Sequence, residues 1–278
     1  MSQETEHDEG DDHLEFDEGR YLYCVVYADD DESFTTEGIE GRDVSLLVED
    51  GLGAVVQSVN SVYDSDDMTR VRQWLLKHQR VVDTAGGEFG TPLPVRFDTI
   101  FKGGDETVVE WLRRNHRQLD DALDWLSGCW QYRIEVRWDE QAVGEKLTQE
   151  DTKLQELETR IDSASDGTRY LLESQFEQRL AQRLEQRRNR LQERLIEEIM
   201  PYAVGIQRSK GTSNVLSAEN DTHIETAVQL SVLTERSHEE QIGEKLETIA
   251  EREHHDVRYT GPWPPYSHAP QIGGDEDS

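Results

Sequence analysis

Several short runs carry residue types from which a reaction centre could be built. His254-His255-Asp256 sets two imidazoles beside a carboxylate, donors that hold Zn2+ or a related cation when a turn lets them converge. Adjacent residues at a strand start point to opposite faces, so the run reads as a polar connection and not as a ligand set. Ser209-Lys210-Gly211-Thr212 has the composition of a phosphate loop, but its Lys precedes its Gly, the reverse of the order that places lysine on phosphate. Cys24 lies in an apolar run and Cys129 beside Trp130; neither sits in a motif that activates a thiolate, and two thiols make no disulfide scaffold. His78 and His116 stand on apolar helical stripes, as core or boundary histidines do. With 60 Asp and Glu in the chain, carboxylate pairs at catalytic spacing arise by chance and carry no weight. No catalytic, metal-binding or cofactor-binding residue is assigned.

One charge pattern departs from the background. Arg179, Arg183, Arg187, Arg190 and Arg194 recur at three and four beside the stripe Phe176, Leu180, Leu184, Leu191 and Leu195, the spacing of one helical face. Such a row could dock an acidic partner protein. The commoner alternative is that it lays its stems along the core edge and pairs with the chain's own acids. Arg96, in an apolar strand, is expected to pair with an acid.

The 278 residues suffice for two modest cores at 34% hydrophobic content. Against 29 Lys and Arg stand 60 Asp and Glu, a net charge of −31. That self-repulsion opposes a compact state at low salt, whereas ~1 M salt shortens the Debye length to about 3 Å. A hypersaline cytoplasm is the expected setting. The sign argues against nucleic acid as a general partner, because phosphate contacts need a basic footprint. No window approaches a membrane span, and the opening lacks a signal-peptide pattern.

The elements that would position these residues read as follows. Residues 1–19 are expected to be an acidic flexible tail. A first α+β domain spans 20–129. In it, Tyr21 to Tyr27 is a central strand, and Val44 to Val48 and Leu52 to Val59 form a hairpin through Asp50-Gly51. A helix follows from Asp67 to Thr84, with Met68, Val71, Leu75, His78 and Val82 on its apolar face, stopped by Gly86-Gly87. Thr91 to Phe97 is an edge strand carrying Pro92 and Pro94, and a second helix bears Val109, Leu112, His116, Leu119, Leu123 and Leu126.

The second domain spans 130–267. Trp130 to Trp138 alternates as a half-buried strand. Thr148-x-x-Asp151 resembles a capping box before a helix, and a long helical arm runs from Thr168 to Met200. Strands near 203–207 and 224–233, a helix over 238–250 and a strand over 256–261 complete a split βαβ, ferredoxin-like order. A polar loop spans 208–221, and residues 268–278 are expected to be an acidic flexible tail. The fold class is α+β in two domains, each a mixed or antiparallel sheet with helices.

The residues then resemble a known family. Tyr21-Leu22-Tyr23-Cys24-Val25-Val26, Gly38-Ile39-Glu40-Gly41 and Gly51-Leu52-Gly53-Ala54-Val55-Val56 are similar to the opening of the gas vesicle protein F/L family. His78-Gln79-Arg80-Val81-Val82 and then Thr91 through Arg96-Phe97 resemble its helix-to-strand passage, and Gly167-Thr168-Arg169-Tyr170-Leu171 the start of its long helix. Most specific is the closing Gly261-Pro262-Trp263-Pro264-Pro265-Tyr266-Ser267. The chain departs from the family in having Asp98 where Gly usually follows Arg-Phe, and His268 where Phe commonly follows Ser. Its length and acidic amino tail favour the longer L type.

The resemblance implies a cytoplasmic, non-enzymatic accessory protein, associated with the vesicle, that contacts the hydrophobic shell protein and other accessory proteins during nucleation and hinders shell-protein aggregation. The terminal motif has a physical reading of its own: three prolines hold an extended backbone while Trp263 and Tyr266 offer apolar faces, a latch closing the fold. The rival reading is an enzyme or small-ligand-binding protein on a ferredoxin-like scaffold, which a pocket with convergent polar groups would favour.

Overall fold

The computed structural model describes residues 15–209, 224–253, 255–270 and 272. They separate into two compact units, one comprising the residues up to Gly128 together with those from Trp263 onward, the other Cys129–Pro262.

The first unit is one sheet of β1 (Glu15–Tyr27), β2 (Thr35–Glu37), β3 (Asp43–Glu49), β4 (Leu52–Ser61), β5 (Leu93–Pro94) and β6 (Ile100–Lys102), in the order β2-β3-β4-β1-β5 with β6 also on β1. It carries the helices α1 (Met68–Phe89) and α2 (Asp105–Leu126). β1 is central, and Tyr21, Leu22, Tyr23, Cys24 and Val25 are fully buried. Tyr21 and Tyr23 join the core that α1 covers, with Trp74, Val81, Val82 and Ala85. Leu22, between them, lines a cavity with Trp111 and Leu119 of α2, as alternation along a strand dictates. The β3–β4 turn has Asp50 at φ 50 and Gly51 at φ 81, the two left-handed positions of a two-residue hairpin.

Glu15–Gly19 are not tail: Gly19 pairs with Val59 and with Lys102, and Phe16 packs on the core, so ladder bonds and burial outweigh the ordering cost. Residues 1–14 lie outside the described set. Gly86-Gly87 does not stop α1, which runs to Phe89. Gly86 is buried within it, and Phe89 sets its ring 5.8 Å from that of Phe34, packing that offsets the roughly 0.5–1 kcal/mol cost of a helical glycine. The apolar face of α1 is also rotated from the expected stripe. Trp74 is buried, while Met68 and Leu75 are 64% and 46% exposed. The proline strand shrinks to Leu93–Pro94 on β1.

The second unit is a sheet of β7 (Cys129–Asp139), β8 (Gly205–Arg208), β9 (Ile224–Glu235) and β10 (Asp256–Trp263), in the order β10-β7-β9-β8. That is the ferredoxin-like order, with β7 antiparallel to β9 and β8 antiparallel to β9. Between β7 and β8 come α3 (Glu140–Glu150), α4 (Thr152–Ser163) and α5 (Asp166–Ile199), and between β9 and β10 comes α6 (Glu239–Glu253). Ile134, Val136 and Trp138 meet Leu191, Leu195 and Ile199 of α5 and Ile242, Leu246 and Ile249 of α6 in one core; a buried side chain of this size contributes about 1.5–3 kcal/mol. α3 was not expected, and it absorbs Thr148. The cap of α4 is instead Asp151, which accepts from the backbone N–H groups of Lys153 and Leu154. Lys210, Gly211 and Thr212, the polar loop beyond Ser209 and His254 lie outside the described residues.

The terminal segment also departs from expectation. Tyr266 packs against the core of the first unit, so residues from Trp263 onward belong there and not to the second domain. His268, expected in a flexible tail, is 5% exposed.

Candidate partner-docking site

The long helix α5 carries the arginine row, and the structure divides that row. Arg179 places Nε and a terminal nitrogen 2.9 and 2.8 Å from the two Asp151 oxygens, and Arg183 Nε lies 3.0 Å from Asp151 Oδ2. Asp151 is buried, and the Arg179 hydrogen bond holds its carboxyl below the ordinary range. These two arginines therefore tie α5 to the α3–α4 junction. Arg183 also joins Arg187, Arg190 and Arg194 in lining a cavity of about 130 Å3 with Leu147 and Glu150. Arg190 stands exposed.

On another face of the same helices lies a groove of about 680 Å3. Its floor is Phe176, Leu180 and Leu184 of α5, and its wall is Gly144 and Thr148 of α3. Glu140, Glu145, Glu158 and Glu225 line it as well. Arg188 contacts Glu140 closely and lies 3.2 Å from Glu225, its guanidinium over the Trp138 ring. Burial and the neighbouring Glu225 push the Glu140 carboxyl up. Towards the start of α5, Tyr170 and Leu171 are 73% and 60% exposed. Floor and wall together form an apolar groove fringed by anionic charge, suited to an apolar protein partner.

Sequence reasoning missed this groove because it missed α3. Its signal was thin: Asp139 caps the helix through the Ala142 N–H at 3.0 Å, and Val143 and Leu147 are its i, i+4 apolar pair.

The family-motif residues sit elsewhere. Phe97 is one ring of a buried cluster, 6.1 Å from Tyr21 and 6.0 Å from His78. Arg96 corrects the expectation of an acidic partner: it is exposed and has no ion pair among the described residues. Asp98 takes φ 63. Its carboxylate accepts the Tyr63 N–H at 3.0 Å, and its own N–H donates to Tyr21 Oη at 3.3 Å. Gly261 is pressed against Tyr132, where a Cβ would come within 2.7 Å of the ring. A cis peptide joins it to Pro262. Pro264 and Pro265 are buried, and Tyr266 lies 6.1 Å from the His78 ring, so these residues form the latch, whereas Trp263 is 43% exposed.

His116 sets Nε2 2.9 Å from the Asp50 carbonyl, a boundary contact, and His255 is buried with its ring 6.1 Å from that of Trp138. Burial raises the Cys24 thiol strongly and the Cys129 thiol as well. No helix of the described residues is long and apolar enough to cross a membrane.

Comparison with known proteins agrees with this architecture. The family model for gas vesicle synthesis protein GvpL/GvpF matches residues 19–270. Gas vesicle protein L2 of Halobacterium salinarum is 42% identical over 263 residues, covering 93% of this chain and 94% of that protein. Gas vesicle protein L of Haloferax mediterranei is 33% identical, covering 92% and 89%. The crystal structure of GvpF from Anabaena superposes with a TM-score of 0.76 at 20% identity, over 92% of this chain and 99% of that one. With a family match over almost its whole length and haloarchaeal L proteins among its relatives, the chain belongs to the GvpL/GvpF family of gas vesicle accessory proteins.

Proposed function

We propose that this protein binds the hydrophobic gas vesicle shell protein and other accessory proteins in the cytoplasm while the vesicle is nucleated, and hinders premature aggregation of the shell protein. The observation that carries the reading is the groove on α3–α5, with its floor of Phe176, Leu180 and Leu184 and its glutamate fringe. A protein destined for a gas-tight wall presents apolar surface before assembly. An apolar groove can cover part of it, while a carrier of charge −31 keeps the complex dispersed.

The far side of the arm supports a second contact. Arg183, Arg187, Arg190 and Arg194 converge on one small cavity, and there a carboxylate of an acidic accessory partner docks. Arg179 belongs to the Asp151 anchor and supports that face from below.

The test is co-precipitation of the shell protein with the full chain in molar KCl, together with light scattering of the shell protein alone and in mixture. Phe176→Glu and Leu180→Glu are expected to abolish capture and solubilisation without unfolding the chain, since both residues are half-exposed. Arg190→Glu with Arg194→Glu is expected to spare shell capture and weaken an accessory partner. Unchanged capture by the groove variants would contradict the reading.

A further inference from the structure

We infer that the first unit holds a site for a small apolar monocarboxylate, separate from the surfaces on α3–α5. The chain forms there a half-open cleft of about 540 Å3, within the roughly 300–1,000 Å3 range of small-molecule sites. Leu22, Leu93, Phe101, Trp111 and Leu119 are among its walls, and the rings of Phe101 and Trp111 stand 5.2 Å apart, tilted at 54°. The terminal segment closes one side with Tyr266, Ala269, Pro270 and Ile272. Apolar walls of this kind accept a flat or branched hydrocarbon body, and burial of that body provides the affinity.

The polar groups select the head of the ligand. Arg96 is the charged residue among those lining the cavity. In a chain with twice as many acids as bases it has no ion pair among the described residues, so its guanidinium can take a carboxylate in the two-point geometry that arginine favours. Tyr266 adds its ring to the wall, while its hydroxyl is buried in the neighbouring core and takes no part in the site. Thr99 donates its hydroxyl to the Arg96 carbonyl at 2.7 Å and steadies the turn that presents the guanidinium. A cationic or uncharged apolar ligand would leave Arg96 unanswered, and a polyanion would leave the apolar walls wet. One carboxylate on one apolar body satisfies both.

The experiment is calorimetric titration of the full chain in 2 M KCl with naphthalene-2-carboxylate, and in parallel with naphthalene-2-methanol, which has the same body and no charge. Saturable binding of the carboxylate is expected, tighter than that of the alcohol. Arg96→Gln, at an exposed position, is expected to weaken the carboxylate about tenfold, the scale of one charge-assisted hydrogen bond, and to leave the alcohol unchanged. Ala269→Phe, which fills the cavity beside the terminal segment, is expected to abolish both. Absence of saturable binding up to the solubility of the carboxylate overturns the site. Equal affinity of the wild type and Arg96→Gln for the carboxylate overturns the assignment of its head group.

Discussion

Arg179 grips both oxygens of Asp151, at 2.9 and 2.8 Å, while one of those oxygens also caps α4 through the N–H groups of Lys153 and Leu154. A single residue thus ends α3 through its backbone N–H to the Leu147 carbonyl, starts α4 through its carboxylate and ties the junction to α5. The chain's many exposed ion pairs contribute little by comparison, because water and salt screen them. Asp151→Ala removes cap and ion pair together, whereas Asp151→Asn keeps the cap. In thermal unfolding at molar KCl, Ala is expected to lower the melting temperature more than Asn, and both more than substitution of exposed Glu156. Equal effects of Ala and Asn would assign the role to charge alone.

His78 predicts a pH dependence. Its ring is buried between Tyr21, whose hydroxyl is 2.7 Å from Nδ1, and Tyr23, and burial pushes the imidazole down from 6.5 to about 4. As pH falls, the unfolded chain therefore takes up the proton first. The contribution is complete above pH 6.5 and is lost between there and about pH 4, some 3 kcal/mol in all by linkage. Denaturation at molar KCl should show stability falling from pH 7 to pH 5 in the wild type, and a shallower fall in His78→Phe. Identical slopes would contradict the assignment.

Asp98 predicts a ranking. A non-glycine residue at φ 63 costs about 1 kcal/mol or more, and Asp is suited to it because its carboxylate accepts the Tyr63 N–H. Asp98→Asn keeps both the conformational tolerance and the acceptor, and is expected to be near neutral. Asp98→Gly exchanges the acceptor for a relaxed backbone and should lie within about 1 kcal/mol of the wild type. Asp98→Ala loses both and should destabilise by about 2 kcal/mol. Chemical denaturation orders the three.

Elements with strong periodicity were legible in the sequence: the stripe Leu112, Leu119, Leu123 and Leu126 is buried along α2, and β7 alternates from Tyr132 to Trp138. α3 was not legible, because its apolar signal is only Val143 and Leu147 among polar neighbours and its formation depends on packing against α5. The end of α1 was misread because Gly86-Gly87 is a local stop, overridden by the contact of Phe89 with Phe34. The arginine row was visible as a pattern, but its division was not, since the partner of Arg179 and Arg183 is 28 residues away from Arg179 on a helix junction that the capping pattern misplaced. Likewise, nothing local marks Tyr266 as part of the first core.

The net charge of the protein predicts a salt dependence. At −31 its folded state gains from screening, so the melting temperature is expected to rise steadily as KCl is raised towards molar concentration. A melting temperature independent of salt would remove the link between charge and setting.

Hydrogen–deuterium exchange of the full chain in molar KCl, with and without the purified shell protein, tests partner binding most directly. The expected result is slowed exchange in the peptides spanning α3 and the 170–184 stretch of α5, abolished by Leu180→Glu. Unchanged exchange throughout, or protection confined to the first unit, would contradict it.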